Sequence, residues 1–492
     1  MTELLRFVSH PIRNIAFLNR VFTELSDWRS HLTFTLWVWG QPSTSQKMIK
    51  GTSQVASLRR VLATFTVLSL CTFSSIRPTS AYSVVTHEAI IDSEWEDQIK
   101  TFLLARFPNA TPDDLRKAHA YAYGGCVIQD LGYYPFGSRF FSELTHYVRS
   151  GDFVAALFEE SRDIDDYAFA LGALSHYVAD IQGHSLAVNA AVPMLYPRLR
   201  RKYGTWLTWE ENPQAHAMTE FGYDVLEVVA RHNAPQAYHD WIGFKVPKPV
   251  LQRAFKKTYG LELNDQMLNI DLALVAYRKL ASKVIPEMTE VAWVMRKSEL
   301  ESLSSGVHHA QLYHLSRKSY ASWIPTYKKP GPGDKITAFL VRLVPKFGSL
   351  STLEFRAPTL QTEQLFADSL KATVEDYEPD LRRAQKGEFD PPNMNLDTGR
   401  STQPGEYISC DRTYAKLLDK LGRSHFSDVS LGLRGNLLSF YSDSAGNTLK
   451  REPGKWRKVL RNLNGLKAAT DGTKAHPALT SELGRSASGH GL

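Results

Sequence analysis

The sequence predicts a mainly α protein, and three observations predict it. Apolar residues recur at spacings of three and four through most of residues 89–232. No alternating strand pattern or hairpin dipeptide stands out before residue 300. Proline, glycine and small polar residues divide the same stretch into pieces of helix length. A chain of 492 residues allows two to four domains of about 100–200 residues, or one large domain with extensions. Its 43% hydrophobic and 22% charged content fits neither a disordered chain nor a multi-span membrane protein.

The elements follow in chain order. Lys50, Arg59 and Arg60 precede an apolar run from Val61 to Phe73, and a polar stretch ends at Thr79-Ser80-Ala81. These are the three regions of a signal peptide, and the run falls short of the roughly 20 apolar residues a membrane span needs. Cleavage after Ala81 places small residues at the cut, exposes Tyr82 and implies a secreted or periplasmic protein. Met48 lies at a normal distance ahead of the apolar run, so 48–81 is read as the leader and 1–47 as an extension from an upstream start codon. Helical periodicity then covers Ala89–Phe107, Asp113–Gln129, Phe140–Arg149, Asp152–Phe158, Asp165–Ala190 and about Pro213–His232, with Asp130–Gly137 as a loop. Past residue 300 the pattern weakens. Lys328–Asp334 and the prolines from Pro391 to Pro404 mark loops, and helical stretches fall near Lys335–Leu343, Gln361–Ala384, Tyr414–Leu421 and Val429–Tyr441. Residues 301–470 are read as a largely helical C-terminal extension of unassigned role, and 471–492 as a disordered tail.

Charge and cysteine narrow the function. The net charge of +7 suggests nucleic acid, but residues 1–81 hold nine Lys and Arg against three Asp and Glu, and 82–492 hold 49 against 48. The mature chain therefore has no global basic field, although a local groove stays open. Cys71 lies in the leader, leaving Cys126 and Cys410, which can form one disulfide or sit free in the core. With no CxxC pair, a bound metal would need nitrogen and oxygen ligands.

Such ligands are concentrated before residue 221. In the Asp165–Ala190 helix, Leu171, Leu174, Val178 and Ile181 form one stripe, and His176, Asp180 and His184 form another about 130° away. His216 and Glu220 repeat the i, i+4 pairing on a second helix. Either pairing alone is more often a solvated polar face or a buried histidine with a carboxylate partner. Together with His87, Asp130 and His146 they make the ordered set H…D…H…HxxxDxxxH…HxxxE. Imidazole and carboxylate without thiolate suit zinc at sites that keep a position open for water. Two or three such ions stabilise in-line displacement at phosphorus, which makes this a phosphodiesterase pattern.

These residues resemble the zinc-dependent phospholipase C family, whose helical fold is shared with the single-strand-specific zinc nucleases. The resemblance covers about Tyr82 to Arg231 and is most specific over Phe141–Asn189. It implies a catalytic domain at 82–300 that binds up to three Zn2+ ions. One would be held by Asp130, His146, His176 and Asp180, and a second by His184, His216 and Glu220. A third would be held by His87, by Asp180 as a bridge, and by the main-chain amine and carbonyl of Tyr82. Asp130 is the carboxylate placed to assist the attacking water. The family's phospholipases begin with Trp, so Tyr82 departs from the pattern, while its short spacing to His87 resembles the nuclease branch. The expected activity is phospholipase C hydrolysis of a phospholipid to diacylglycerol and a phosphorylated headgroup. A single-strand nuclease, a non-catalytic zinc scaffold and a phosphomonoesterase are the alternatives. His119 reads as a packed or exposed histidine rather than a partner of Asp130, and His308, His309 and His314 as surface residues. Tyr133-Tyr134-Pro135-Phe136 could meet a base or lipid or simply pack, and Arg198–Lys202 reads as a solvated helix face.

Overall fold

Helix α1 (Val84–Glu94) runs through a π turn at Trp95–Ile99 into α2 (Lys100–Arg106). The structure is a computed structural model and describes residues 83–230, 236–304, 354–443 and 445–469. Outside them lie Tyr82, the leader, the 1–47 extension, His308, His309, His314, the loop at 328–334, the expected helix at 335–343 and the tail. Next come α3 (Pro112–Gly125), a 3-10 turn at Ile128–Tyr133, α4 (Arg139–Tyr147), α5 (Ser150–Glu159) and α6 (Ile164–Gln182). A π turn at Gly183–Val188 leads into α7 (Asn189–Leu195), followed by α8 (Pro197–Tyr203), α9 (Pro213–Ala230), α10 (Gln236–Ile242) and α11 (Lys248–Tyr259). Helix α12 (Ile270–Lys279) passes through a third π turn into α13 (Ile285–Ser304). After α14 (Leu360–Lys386) a hairpin pairs β1 (Met394–Asn395) with β2 (Arg400–Ser401), and α15 (Ile408–Arg423), α16 (Leu431–Ser442) and α17 (Pro453–Ala468) complete the described chain.

The fold is mainly α, as the periodicity predicts. Local chemistry sets the helix starts. Thr111 and Asp114 close a capping box ahead of Pro112, Asp163 accepts from the Asp166 amide, and Thr359 closes a box with Thr362. Three expectations need correction, the first being Ala89–Phe107, which the π turn at Trp95–Ile99 divides into α1 and α2. Asp130–Gly137 is not a plain loop, because a 3-10 turn carries the chain from Ile128 to Tyr133. Asp165–Ala190 is not one continuous α-helix, because the π turn adds a residue to the turn after Gln182. Helices α10, α11, α12, α13 and α17 and the short hairpin had no counterpart in the sequence reading.

The main core joins residues of α3–α6, α11 and α12 to Tyr377, Leu396, Tyr414, Leu433 and Leu463. A second core fills the space among α7, α9, α13 and the start of α14. Helices α3 and α6 pack backbone to backbone. A β-carbon at Gly172 would lie 2.1 Å from the Ala122 carbonyl oxygen, and one at Gly125 2.1 Å from that of Phe169. Only glycine permits this approach, since even modest overpacking costs about 1–3 kcal/mol. No described helix is long and apolar enough to cross a membrane.

Candidate metal centre

The close approach of α3 and α6 builds the first half of the site. One turn beyond Gly172, the His176 ring reaches the Cys126 carbonyl at the end of α3, with Nδ1 3.0 Å from that oxygen. Nε2 of the same ring is turned inward, 3.2 Å from Asp180 Oδ2. The 3-10 turn that follows α3 brings in Asp130, and α4 supplies His146. His146 Nδ1 meets the Ser142 carbonyl at 2.8 Å, leaving Nε2 3.3 Å from Asp130 Oδ1 and 3.4 Å from Asp180 Oδ2. From α1, His87 Nε2 approaches Asp180 Oδ1 to 3.5 Å, and its ring stacks on His176. Asp180 therefore touches two overlapping groups, one containing His87 and the other Asp130 and His146.

The π turn decides where His184 goes. With i, i+4 spacing throughout α6, His176, Asp180 and His184 would share one face. Widening of the helix at Gly183 turns His184 away toward α9. There its Nε2 lies 3.8 Å from Glu220 Oε1, and His216 Nδ1 lies 3.6 Å from the same oxygen. His216 Nε2 is occupied by the Leu207 carbonyl at 2.7 Å, and His184 Nδ1 by the Leu396 carbonyl at 3.0 Å. In each of these four rings, one nitrogen is held by a main-chain carbonyl and the other points at a carboxylate.

Three ligand groups result: His87, His176 and Asp180; Asp130, His146 and His176; and His184, His216 and Glu220. All eight side chains are buried, none more than 3% exposed. That excludes a solvated polar face. Asp130 Oδ1, His146 Nε2, His176 Nε2, His184 Nε2, His216 Nδ1 and both Glu220 oxygens have no hydrogen-bond partner. Buried polar atoms are almost always paired, so such a convergence points to a ligand for them. Nitrogen and oxygen donors of this type fit zinc.

Electrostatics agree with that reading. Burial pushes the Glu220 carboxyl up to about 8 and lowers His216 and His87. Burial alone would lower His146 too, but the adjoining Asp130 and Asp180 carboxylates carry it up to about 10. Burial opposes ionisation of Asp180, yet the surrounding histidines hold its carboxyl well below the usual range. A divalent cation would satisfy the same carboxylates without needing protonated imidazoles.

Several other expectations resolve. Cys126 and Cys410 are free and buried, their thiols directed at the Tyr123 and Tyr147 carbonyls. His119 is a packed histidine, stacked on Trp95 and 3.2 Å from Asp92. With Glu88, Tyr123 and His239 it forms a separate buried network on the far side of α1. Tyr133 and Tyr134 are buried, with Tyr133 against His146 and Trp209, whereas Phe136 is exposed. Arg198–Lys202 lie on α8, none of whose residues is buried. A groove of about 320 Å³ beside α6, with Tyr177, Asp376, Asp380, Arg383 and Phe389 in its wall, contains none of the eight ligand candidates.

Sequence reading missed the groups that hold the ligands. The Ser142, Cys126 and Leu207 carbonyls leave no trace in side-chain identity. Asp224 and Asp397 are carboxylates whose partners lie far away in the chain. Asp224 extends the His216-Glu220 spacing by one more turn, and that was the one available signal.

The family model described as zinc dependent phospholipase C matches residues 86–268. No curated protein and no solved structure matches the chain. All eight clustered side chains fall inside the matched segment, which is similar to the zinc-dependent phospholipase C family.

Proposed function

We propose that this chain is a zinc-dependent phosphodiester hydrolase, a phospholipase C that releases diacylglycerol and a phosphorylated headgroup outside the cytosol after removal of residues 48–81. The observation that carries this reading is the convergence of eight buried imidazole and carboxylate side chains in three groups, with partnerless atoms at Asp130, His146, His176, His184, His216 and Glu220. Asp130, His146, His176 and Asp180 would hold one zinc, and His184, His216 and Glu220 a second. His87, Asp180 and the main chain of a mature Tyr82 would hold a third. Bound zinc supplies charge neutralisation at the phosphoryl oxygens and lowers the pKa of water toward about 7.

The chain's own residues do the rest. The Asp130 carboxylate would take the proton of the attacking water as the new bond to phosphorus forms and the bond to the glycerol oxygen breaks; that oxygen takes a proton from solvent water and leaves as diacylglycerol, and Asp130 returns its proton to solvent. Carbonyls of Ser142, Cys126 and Leu396 keep His146, His176 and His184 oriented. The Tyr82–His87 spacing favours a second reading, a single-strand nuclease.

The test is metal content by mass spectrometry on protein beginning at Tyr82 and on a form with one extra residue before it. Both are then assayed on phosphatidylcholine vesicles and on single-stranded DNA. The proposal expects near three zincs falling to about two in the extended form, with lipid turnover lost in EDTA and restored by zinc. Zinc with DNA cleavage and no lipid turnover selects the nuclease. Zinc with neither activity selects the scaffold reading, and no zinc in either form refutes the metal chemistry.

A further inference from the structure

A segment that contacts His146 and His184 comes from far outside the family match. Ser150 Oγ bonds both ends of Met394, donating to its carbonyl at 2.6 Å and accepting from its amide at 3.0 Å. The Leu396 amide donates to the His146 carbonyl at 3.0 Å, and the Leu396 carbonyl meets His184 Nδ1 at 3.0 Å. The next residue, Asp397, is 2% exposed. Its carbonyl accepts from Asn189 Nδ2 at 2.7 Å, and its Oδ2 accepts from the hydroxyls of Tyr147 at 2.8 Å and Tyr407 at 2.6 Å. Oδ1 of the same carboxylate faces His184 Nδ1 at 3.9 Å. Gly399, at φ +66°, then turns the chain tightly over Ser185 and Ile181. Residues 394–399 are thus fastened to α4, α5, α6 and α7 together.

This arrangement has a chemical consequence at one ring. An imidazole that donates Nδ1–H to a carbonyl carries its lone pair on Nε2, and a carboxylate beside Nδ1 strengthens that assignment. Nε2 of His184 is the atom that faces Glu220. Two tyrosine hydroxyls engage Oδ2 of Asp397, so the oxygen turned to His184 is the other one.

Building on the metal-centre reading above, we infer that residues 394–399 are a working part of that centre, with the Leu396 carbonyl and the Asp397 carboxylate acting as positioning groups that make Nε2 of His184 a zinc ligand. The segment C-terminal to the matched family region then has a task, which is to orient one ligand of the His184-His216-Glu220 group.

The experiment uses the full chain and three forms: wild type, Asp397→Ala and Ser150→Ala. Zinc is withdrawn by a graded chelator series and counted by mass spectrometry, and melting temperature is recorded alongside. Removing an outer carboxylate partner of a ligating histidine weakens metal binding by about 10–100-fold. Asp397→Ala is expected to lose one zinc at about ten- to a hundredfold lower chelator concentration while the remaining zinc stays. Ser150→Ala loosens the same segment at Met394 without touching His184. It should lower the melting temperature and leave every zinc affinity unchanged. Unaltered zinc retention in Asp397→Ala, or an equal weakening in Ser150→Ala, overturns the inference. If Asp397→Ala does not accumulate, Asp397→Asn keeps an acceptor for the tyrosines and removes the charge; it should lose the same zinc by a smaller factor, and no loss overturns the inference. A wild-type chain without zinc brings down the metal-centre reading itself, which separates the two failures.

Discussion

Replacing Asp224 with alanine should unfasten the N-terminal end of the helix that carries His87. Ser83 precedes α1 but makes no side-chain cap bond, so the first-turn donors of α1 need another acceptor. Asp224 supplies it from α9, accepting from the Val85 amide at 3.0 Å, the Thr86 amide at 2.9 Å and the Thr86 hydroxyl at 2.7 Å. Alanine would strand three buried donors at about 1–3 kcal/mol each, or roughly 6 kcal/mol at mid-range. Burial offsets part of this, because it raises the Asp224 carboxyl from 3.8 to about 6, a penalty of about 3 kcal/mol once ionised. The expected net loss near pH 7.5 is about 3 kcal/mol.

The pH dependence of that loss has a definite sign. A carboxyl whose folded pKa is raised contributes stability that is fully present below its unfolded pKa and is lost as pH rises through the folded one. The defect of Asp224→Ala should therefore be about 1 kcal/mol larger at pH 5 than at pH 7.5. Urea unfolding of wild type and variant at both pH values measures it. A variant within about 0.5 kcal/mol of wild type at both, or a defect that grows with pH, would refute the capping argument.

Three further outcomes follow from the same geometry. Asp180→Asn should cost more zinc than Glu220→Gln, because Asp180 touches His87, His146 and His176 while Glu220 serves one group; equal losses by metal analysis would remove Asp180 from its bridging place. Burial, and then the charge of Asp224, pushes Glu227 up to about 8, so its stabilising contribution is complete below about 4.5 and disappears as pH rises through 8. Glu227→Gln should accordingly flatten a wild-type stability decline of about 3 kcal/mol between pH 5 and 8, and parallel urea curves for both forms would contradict it. Thiol labelling of protein beginning at Tyr82, unfolded without reductant, should find both Cys126 and Cys410 reactive, whereas no reactive thiol would mean a disulfide.

Much of the ligand set was legible because metal chemistry restricts residue type and a helix restricts spacing. His176 with Asp180 and His216 with Glu220 are i, i+4 pairs, and the period of 3.6 alone puts each pair on one face. The same rule failed at His184. A π turn is set by how α6 meets α7 and α14, and periodicity carries no mark of it. The 3-10 turn bearing Asp130 was also hidden, since Asp-Leu-Gly-Tyr-Tyr-Pro has the composition of any loop.

By itself the sequence determined the helical class and singled out eight candidate side chains that prove to be buried and clustered, because those follow from periodicity, residue type and local spacing. Tertiary structure alone decided which ligands stand together and which nitrogen of each ring is turned inward. Those outcomes depend on main-chain carbonyls and on contacts such as Leu396 with His184, 212 residues apart. Such a contact is made by packing of the folded chain, and neither partner's neighbours along the sequence encode it.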